Sequence, residues 1–324
     1  MTHSFQENQN KTDDRIGTVK VPDSRIDILS AIYQPQKVVF AQVEYFLHRV
    51  SGEKNEKTRE QSFNKIRDCD ALIHVVRNFQ RYGLDPPSPF KDFAELDQEM
   101  VFSDLVIAEK RLERLELDQK RGKKPNPEEL FLLNECKKNL ENEMPLRRFP
   151  EIANSRVLKG FAFISAKPML ALFNNADEDN EIPAKNNDDF SEQCLVIKGK
   201  LEQELAQMSD EEAESFLSEF EITASAMDRV IKMSYEFMGL ISFFTVSPDE
   251  VRAWTVKEKT AALEAAGAVH SDMQKGFIRA EVLAYEDFIK AGSYAEARKN
   301  GAVRLEGKAY EVQDGDIITF RFNV

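Results

Sequence analysis

The side chains that most often bind metals or act as nucleophiles are few in this chain and widely spaced. The chain has three cysteines and four histidines, namely Cys69, Cys136, Cys194, His3, His48, His74 and His270. The cysteines form no CxxC pair and the histidines lack ligand spacing, so neither a disulfide framework nor a zinc site is predicted. No Ser/His/Asp or Cys/His arrangement indicates a nucleophile. The sequence therefore predicts no metal site and no catalytic residue.

A short basic run is the clearest candidate for binding phosphate. The chain has 57 acidic and 44 basic residues and a formal net charge of −13, which argues against a protein-wide attraction for nucleic acid or anionic lipid. Contact with RNA must therefore be local. Lys120, Arg121, Lys123 and Lys124 form such a local candidate, because clustered cations bind phosphates. An ordinary solvated loop is the alternative, and the sequence does not choose between the two.

Four apolar runs predict the sheet of an α/β domain. They lie at residues 37–46, 71–76, 168–173 and 194–197. All but the first are short and nearly unbroken, which is typical of parallel strands covered on both faces. Helical stretches separate them, as in a parallel βα arrangement. His74 lies in the second run, and we interpret it as a core or edge histidine whose hydrogen bonds are satisfied.

The basic run lies between two helices of a predicted hairpin. Apolar side chains recur at alternating spacings of three and four, as in a coiled-coil seam, before and after the run. They are Leu105, Ala108, Leu112 and Leu115, then Leu133, Cys136 and Leu140. Asn126 can cap the second helix, with Pro127 at its first position and Glu129 completing a near capping box. Because the seam is short, an antiparallel hairpin within one chain is favoured over a dimer zipper.

The last 86 residues predict a compact β domain. Two short strands within 243–256 flank a turn at 247–250, Thr260 can cap an alanine-rich helix, and residues 276–285 form another strand. Asp314-Gly315 predicts a tight turn joining 309–312 to the final strand in a hairpin. In that strand Ile318, Phe320, Phe322 and Val324 face the core. Strands wrapped on short helices indicate a β-grasp fold.

The same region carries a family resemblance. The ordered segments ISFFTVSPDEVRAWTV, AAGAVHSDMQKGFIRAEVLAYEDF and LEGKAYEVQDGDIITFRFNV resemble the C-terminal TGS domain of the YchF/Obg-like ATPase family, and the resemblance extends from about Arg15 onward. It implies an α/β P-loop NTPase domain, G-domain-like and incomplete here, at 15–95 and 151–238. It also implies a helical hairpin insert at 96–150 and a ubiquitin-like β-grasp domain at 239–324, after a disordered N-terminus at 1–14.

The resemblance implies ATP or GTP with magnesium as cofactors, yet the phosphate-binding motif is missing. That motif, GxxxxGK[ST], surrounds phosphates with backbone N–H groups. Gly-Lys occurs only at Gly122, Gly199 and Gly307, and neither Ser nor Thr follows. The similarity begins downstream of the motif, so we expect the first strand, the phosphate loop and the first helix to be absent together. For this chain we expect no nucleotide cofactor.

A second phosphate-side motif has also changed. Where the family has DxxG, this chain places Leu47 at the aspartate and Val50 at the glycine. A leucine cannot act on the water shell of magnesium. His48 beside Arg49 could contact a phosphate, but an exposed and unconstrained histidine is the favoured interpretation.

The family's base-recognition residues survive in part. Asn174 and Asp177 fit the NxxD pattern, with Glu178 as an alternative acidic group. The segment Lys198-Gly199-Lys200 resembles the family's SAK element. The resemblance implies a vestigial site for a nucleobase. Because the phosphate loop is absent, we favour the alternative that Asn174 and Asp177 end a strand and cap a turn.

The predicted function follows from what is kept and what is missing. The favoured reading is a ribosome- or translation-associated adaptor of the YchF family that does not hydrolyse nucleotide, with Lys257, Lys275 and Arg279 as a second possible RNA contact. An active ATP- or GTP-binding P-loop NTPase and a truncated gene product without a role are the alternatives, so enzymatic activity stays open. No membrane contact and no DNA sequence recognition are predicted. A polar N-terminus predicts no signal peptide and a cytoplasmic protein, and the sequence does not indicate the oligomeric state.

Overall fold

The computed structural model describes residues 14–48, 56–183, 192–219 and 225–323. The chain forms two compact units, one of residues 1–16 and 46–226, the other of residues 17–45 and 227–324. The predicted disordered segment 1–14 lies outside the described residues except for Asp14. Each unit has its own sheet and hydrophobic core.

The described strands and helices are as follows. The strands are β1 (Arg15–Lys20), β2 (Lys37–Val39), β3 (Gln42–Leu47), β4 (Leu72–Asn78), β5 (Met169–Asn175), β6 (Gln193–Ile197), β7 (Leu240–Val246), β8 (Glu250–Lys257), β9 (Phe277–Ala284), β10 (Arg304–Glu306) and β11 (Asp316–Phe322). The helices are α1 (Ser24–Tyr33), α2 (Glu56–Ile66), α3 (Pro89–Lys120), α4 (Pro127–Glu141), α5 (Pro150–Ala153), α6 (Gly199–Leu205), α7 (Asp210–Glu219), α8 (Ala226–Phe237), α9 (Ala262–Val269), α10 (Ser271–Lys275), α11 (Tyr285–Ala291) and α12 (Tyr294–Lys299).

The first unit contains a three-stranded parallel sheet in the order β4-β5-β6. The central strand β5 is buried along almost its whole length, as its unbroken apolar sequence predicts. One face packs Phe173 and Val76 against Phe93 and Met100 of α3. The predicted parallel sheet is therefore confirmed, with strands at three of the four expected runs.

The helices α3 and α4 form the predicted antiparallel hairpin. Ala108, Leu112 and Leu115 are buried with all three predicted apolar residues of α4. Asn126 caps α4 by accepting from the backbone N–H of Glu128 at 3.0 Å. Glu129 is not a capping residue, because it accepts from the Arg111 Nε at 2.7 Å across the hairpin.

A buried ion pair fastens α3 to the rest of the first unit. Asp104 is fully buried and accepts from Arg67 Nη1 at 2.9 Å and from the backbone N–H groups of Ile164 and Ser165 at 3.1 and 2.7 Å. Burial holds the pKa of Asp104 above its ordinary value, and the bonds from Arg67 and Ser165 offset only part of that rise. Three donors to one carboxylate offset part of the cost of burying its charge.

The second unit has the strand connections of a β-grasp. Its sheet has the order β10-β9-β11-β7-β8-β2. A hairpin joins β7 and β8 through the predicted turn, and β11 lies between β7, to which it is parallel, and β9, to which it is antiparallel. The helix α9 packs its alanines onto one face with Phe243 and Phe320. The β-grasp prediction is confirmed.

The predicted C-terminal hairpin is wrong. Residues 309–312 form only an isolated bridge, between Glu311 and Ala261. The turn at Gly315 does form, with φ +88°, but both edges of β11 are occupied by β7 and β9, so no edge is left for 309–312. The predicted face is seen at Ile318 and Phe320, which are buried, whereas Phe322 is 36% exposed and Val324 lies outside the described residues.

The predicted cap of α9 is also wrong. The helix begins at Ala262, and its N-cap residue is Ala261, which has no capping side chain. The backbone carbonyls of Tyr310 and Lys308 accept instead from the N–H groups of Ala262 and Leu263. A neighbouring chain segment thus satisfies the helix end.

Residues 17–45, expected within the α/β domain, pack in the second unit. Ile26 and Leu29 of α1 are fully buried against Phe244 and Phe288. The predicted strand at 37–46 is broken in two, because β2 pairs parallel to β8 whereas β3 pairs with β1. Arg25 donates to Asp314 at 2.6 Å, which fixes α1 to the turn before β11.

Candidate functional site

The carboxyl ends of β5 and β6 hold the predicted base-recognition residues. The Asn174 Oδ1 accepts from the backbone N–H of Gly199 at 2.9 Å. A Cβ added at Gly199 would lie 2.9 Å from the Asn174 amide, so the close approach requires glycine. Lys200 lies 3.5 Å from the Asp177 carboxylate, with both side chains exposed. The structure therefore brings Asn174, Asp177, Gly199 and Lys200 together.

A buried asparagine holds the same loop from below, and sequence reasoning missed it. Asn175 is 3% exposed. Its Oδ1 accepts from Asn78 at 3.0 Å, and its Nδ2 donates to the carbonyls of Glu181 and Asp179 at 2.8 and 3.4 Å. Asn78 and Asn175 end two neighbouring strands and face each other in register. A polar residue at the end of each of two apolar runs was the available signal.

The geometry suits a braced strand end. Asn174 joins the end of β5 to the start of α6, as the turn-capping alternative requires, and Lys198 is the N-cap residue of that helix without a side-chain cap. The Asp177 carboxylate accepts from Lys200 only at the exposed surface. Whether these groups contact a nucleobase stays a prediction. Glu178 adds no described contact to the loop.

The interpretation of His48 as exposed and unconstrained is wrong. Its side chain is 13% exposed, its Nδ1 lies 2.5 Å from the Asp14 Oδ1, and its Nε2 lies 2.9 Å from the Ser62 Oγ. Lys65 donates to the other Asp14 oxygen at 2.8 Å. The bonds from Lys65 and His48 lower the pKa of Asp14 to about 2. Leu47 is 64% exposed, while Arg49 and Val50 lie outside the described residues.

Asp14, His48 and Ser62 thus form a chain of hydrogen bonds that the sequence did not indicate. Their types are those of a nucleophilic relay. However, Lys65 also donates to the Asp14 carboxylate. Ser62 lies within the helix α2, where the backbone N–H groups are bonded to helical carbonyls and are not available to a substrate. The chain of bonds therefore serves to join the end of β3 and the residue before β1 to α2.

His74 is partly buried, and one of its ring nitrogens lacks a hydrogen bond within the described part of the chain. Its ring stacks on Phe93 with centroids 5.1 Å apart, and its Nδ1 is buried without a partner among the described residues. The expectation of a satisfied histidine is therefore wrong for this atom. Burial lowers the pKa of His74 to about 4, because it disfavours the charged ring.

The four predicted phosphate-binding residues lie at the turn of the hairpin. Lys120, Arg121, Lys123 and Lys124 are all exposed. Lys123 donates to Asp118 at 3.0 Å, which lowers the pKa of that carboxyl. The other three make no ion pair with any described residue. We call these four residues the basic tip.

The second predicted RNA contact is not one patch. Lys257 is opposite Leu240, at the start of β7, and Ile317 of the parallel strand β11 is opposite Phe244, four residues further along β7. Arg279 is opposite Arg321, which lies another four residues along β11. Arg279 therefore lies at one end of the sheet and Lys257 at the other, about 25 Å apart along the strand direction. Lys275, just before β9, is on the side of Arg279 and lies 3.8 Å from Asp272.

The part of the chain that the structure describes holds neither a membrane-spanning helix nor a metal-binding cluster. Among the described residues, no helix is both long and apolar enough to cross a membrane. The same residues hold no group of three or more His, Cys, Asp or Glu side chains arranged to bind a metal ion.

Comparisons with known proteins cover nearly the whole chain. The family model YchF-GTPase_C, described as a protein of unknown function (DUF933), matches residues 240–323. The ribosome-binding ATPase YchF of Bacillus subtilis is 36% identical over 330 residues, which cover 96% of this chain and 90% of that protein. The protein of the same name from Haemophilus influenzae is 35% identical, with 95% of this chain and 89% of that protein covered.

Solved structures agree in fold. The YchF GTPase of Schizosaccharomyces pombe superimposes with a TM-score of 0.80 at 24% identity, covering 97% of this chain and 88% of that one. A GTP binding protein from Pyrococcus horikoshii superimposes with a TM-score of 0.59 at 17% identity, covering 95% and 93%.

Proposed function

Because this chain belongs to the YchF family, we propose that it acts as a ribosome-associated adaptor that does not hydrolyse nucleotide. The curated relatives are named ribosome-binding ATPases, which supports the ribosome as partner. The cytoplasm is the compartment that this partner implies. The ATPase activity in their name is the part that we do not carry over.

The absence of a phosphate loop from these 324 residues carries the proposal. No Gly-Lys pair is followed by Ser or Thr, and Leu47 replaces the aspartate of DxxG. Phosphoryl transfer depends almost wholly on positioning and on neutralising phosphate charge. A chain without the loop and without the acidic group lacks both means. The Asn174 to Gly199 bond then serves the fold.

Calorimetry with Mg-ATP and Mg-GTP tests this part of the proposal. We expect dissociation constants no better than millimolar and no release of phosphate. Asn174→Ala is the internal control. If the protein does not bind the nucleobase, this change should leave the heat of nucleotide injection the same as in the parent protein. A micromolar dissociation constant for either nucleotide, together with weaker binding by the Asn174→Ala variant, would establish the active NTPase instead.

An active NTPase is the second candidate, and one observation favours it. The Asn174, Asp177, Gly199 and Lys200 constellation is assembled as a nucleobase loop would need it, with Asn175 bracing it from below. Structural capping accounts for Asn174. The exposed Asp177 and Lys200 pair has no such structural task.

The basic tip supports the choice of the ribosome as partner. Lys120, Arg121 and Lys124 are exposed cations without a described ion pair, at the end of a hairpin whose seam is well packed. Because the two helices are packed against each other, the backbone at the turn needs little further ordering when its cations meet phosphates. The proposed contact is therefore electrostatic and local.

Co-sedimentation with purified ribosomes at low salt tests the tip. Replacing Lys120, Arg121, Lys123 and Lys124 by Gln should abolish sedimentation without unfolding the protein. The matched control replaces Lys110, Arg114, Lys138 and Lys159 by Gln, which removes the same charges from exposed positions of the same unit. Equal loss in both variants would show a general charge effect. No sedimentation of the parent protein would end the ribosome proposal.

A further inference from the structure

Three arginines meet on one face of the second unit's sheet. Arg279 on β9 and Arg321 on β11 are directly opposite each other in register, and both are exposed. Arg298 on α12 extends to the same place, where its Nη2 lies 3.9 Å from the Glu281 Oε1. We call Arg279, Arg298 and Arg321 the arginine cluster.

A single carboxylate organises the cluster. Glu281 is 7% exposed, and its Oε1 accepts from the Arg321 Nη2 at 3.0 Å and from its Nε at 3.3 Å. Its Oε2 accepts from the Tyr294 hydroxyl at 3.3 Å. The Arg321 and Arg298 side chains remain 56% and 64% exposed. The guanidinium groups are therefore held from beneath while their outer donors face solvent.

The charges of this face do not balance internally. Residues that share the face of Glu281 on β9, β10 and β11 are Arg279, Leu283, Leu305, Ile317, Thr319 and Arg321. Glu281 is the one carboxylate among these strand residues, so Arg279 and Arg321 leave them a formal charge of +1, and Arg298 of α12 adds a further exposed cation. This positive charge is a local exception in a chain whose net charge is −13. Arg279 makes no ion pair with any described residue.

The pairing of Arg279 with Arg321 is unfavourable by itself. Like charges directly opposite on neighbouring strands destabilise a sheet, and their Cα atoms are only about 4.5 to 5.5 Å apart. Glu281 is occupied by Arg321, so nothing described offsets Arg279. A local arrangement that costs stability without an internal compensation is a mark of a functional site.

We propose that the arginine cluster binds phosphate groups of an RNA backbone. A guanidinium presents a planar fork of donors that matches phosphate oxygens in pairs, and the exposed Thr319 lies opposite Glu281 on the same face. The arginine end of the face is exposed, whereas Leu283 and Ile317 further along it are buried, so the arginines present their donors to a polyanion at that end. The choice of RNA over an acidic protein rests on the proposed ribosome association. The cluster replaces the predicted patch of Lys257, Lys275 and Arg279, from which the register separates Lys257.

Binding of a labelled twelve-nucleotide poly(U) RNA, followed by fluorescence anisotropy at several salt concentrations, tests the cluster. Arg279→Gln is the decisive variant, because Arg279 has no described partner and its loss leaves no buried charge. We expect weaker binding and a slope of log K against log salt that is smaller by about 0.7, the value for one lost phosphate contact on a single strand. Arg279→Glu should weaken binding further.

Lys257→Gln is the matched control, since it removes one exposed charge from the far end of the same sheet. It should leave affinity and slope unchanged. An unchanged slope in Arg279→Gln, or an equal change in Lys257→Gln, would overturn the proposal. Stronger binding of a poly-glutamate peptide than of RNA would also overturn it, in favour of an acidic protein partner.

The two proposals fail separately. If the protein sediments with ribosomes but Arg279→Gln leaves poly(U) binding unchanged, the arginine-cluster proposal is overturned and the adaptor proposal stays intact. Binding of RNA that depends on Arg279, without sedimentation of ribosomes by the parent protein, would support the cluster as an RNA site and end the ribosome proposal.

Discussion

At the scale of single residues, buried polar groups decide more of this structure than the residues with recognisable motifs do. Asp104, Asn175 and Glu281 are all less than 8% exposed, and each joins segments far apart in sequence. A buried polar group costs free energy unless it is fully hydrogen-bonded. These three therefore hold their partners in place, and variants at such positions should have large effects.

The Asp104 ion pair gives the sharpest stability prediction. Asp104→Ala removes the acceptor of Arg67 and of two backbone N–H groups, and leaves a buried guanidinium without its anion. We expect the free energy of unfolding to fall by about 3 to 5 kcal/mol, measured by urea denaturation followed by circular dichroism. Asp118→Ala, which breaks the exposed pair with Lys123, should cost about 1 kcal/mol or less. Equal losses would contradict the assigned role.

The Gly199 contact predicts a non-additive double variant. Gly199→Ala pushes the new Cβ against the Asn174 amide and should destabilise the first unit by about 1 kcal/mol through the lost hydrogen bond. Once Asn174→Ala has removed that amide, adding Gly199→Ala should cost little more. Gly160→Ala is the control, because its Cβ would meet no atom within 4 Å. Additive losses at the two sites would refute the contact.

His74 predicts a pH dependence with a definite sign. Its pKa is about 4 in the folded protein, against 6.5 for the free side chain, so the unfolded chain binds a proton more readily. Stability from this group is complete above pH 6.5 and falls as the pH drops toward 4. The protection factors of the β4 amides, which are corrected for the intrinsic effect of pH on exchange, should therefore fall over this interval. His74→Leu should flatten that part of the profile, and an unaltered profile would assign it to other groups.

At the scale of elements, the two sheets differ in how their strands are covered. β11 is paired on both sides, whereas β4 is paired on one side among the described residues, and its Val75 is 56% exposed. An edge strand opens more easily than a central one, because fewer hydrogen bonds and apolar contacts must break.

Hydrogen exchange can measure this difference directly. The amides of Leu72–Asn78 should exchange faster than those of Asp316–Phe322 in the same sample. The prediction compares two strands of similar length, so intrinsic sequence effects are easily corrected. Protection of β4 as strong as that of β11 in a monomer would show that a further strand or partner covers its free edge.

At the scale of the whole molecule, the negative net charge restricts RNA contacts to local basic surfaces. Contacts between such surfaces and phosphates depend on salt. The chain carries −13, so attraction to RNA must be local, as we propose for the basic tip and the arginine cluster. If the three unpaired cations of the tip each meet a phosphate, raising salt from about 50 to 200 mM should weaken ribosome binding about 20- to 40-fold. Sedimentation across a salt series measures this, and binding that holds constant with salt would point to an apolar contact.

The sequence by itself determined the periodic parts of this protein. The hairpin follows from the seam that includes Leu112, Leu133 and Leu140, the parallel strands from unbroken apolar runs, and the β-grasp from its turns and alternation. These patterns are local, because a helix or strand repeats within a few residues. The family resemblance rests on the same ordered segments, and it was sufficient to identify the family.

Only the tertiary structure decided which elements are partners. It paired β11 with β7 and β9 rather than with 309–312, and it placed α1 in the second unit through Arg25 and Asp314, which are 289 residues apart. It also brought Arg67 to Asp104, 37 residues on, and Arg279 to Arg321. Such pairs leave no periodic trace in sequence, because their geometry is set by how whole elements pack to bury apolar surface.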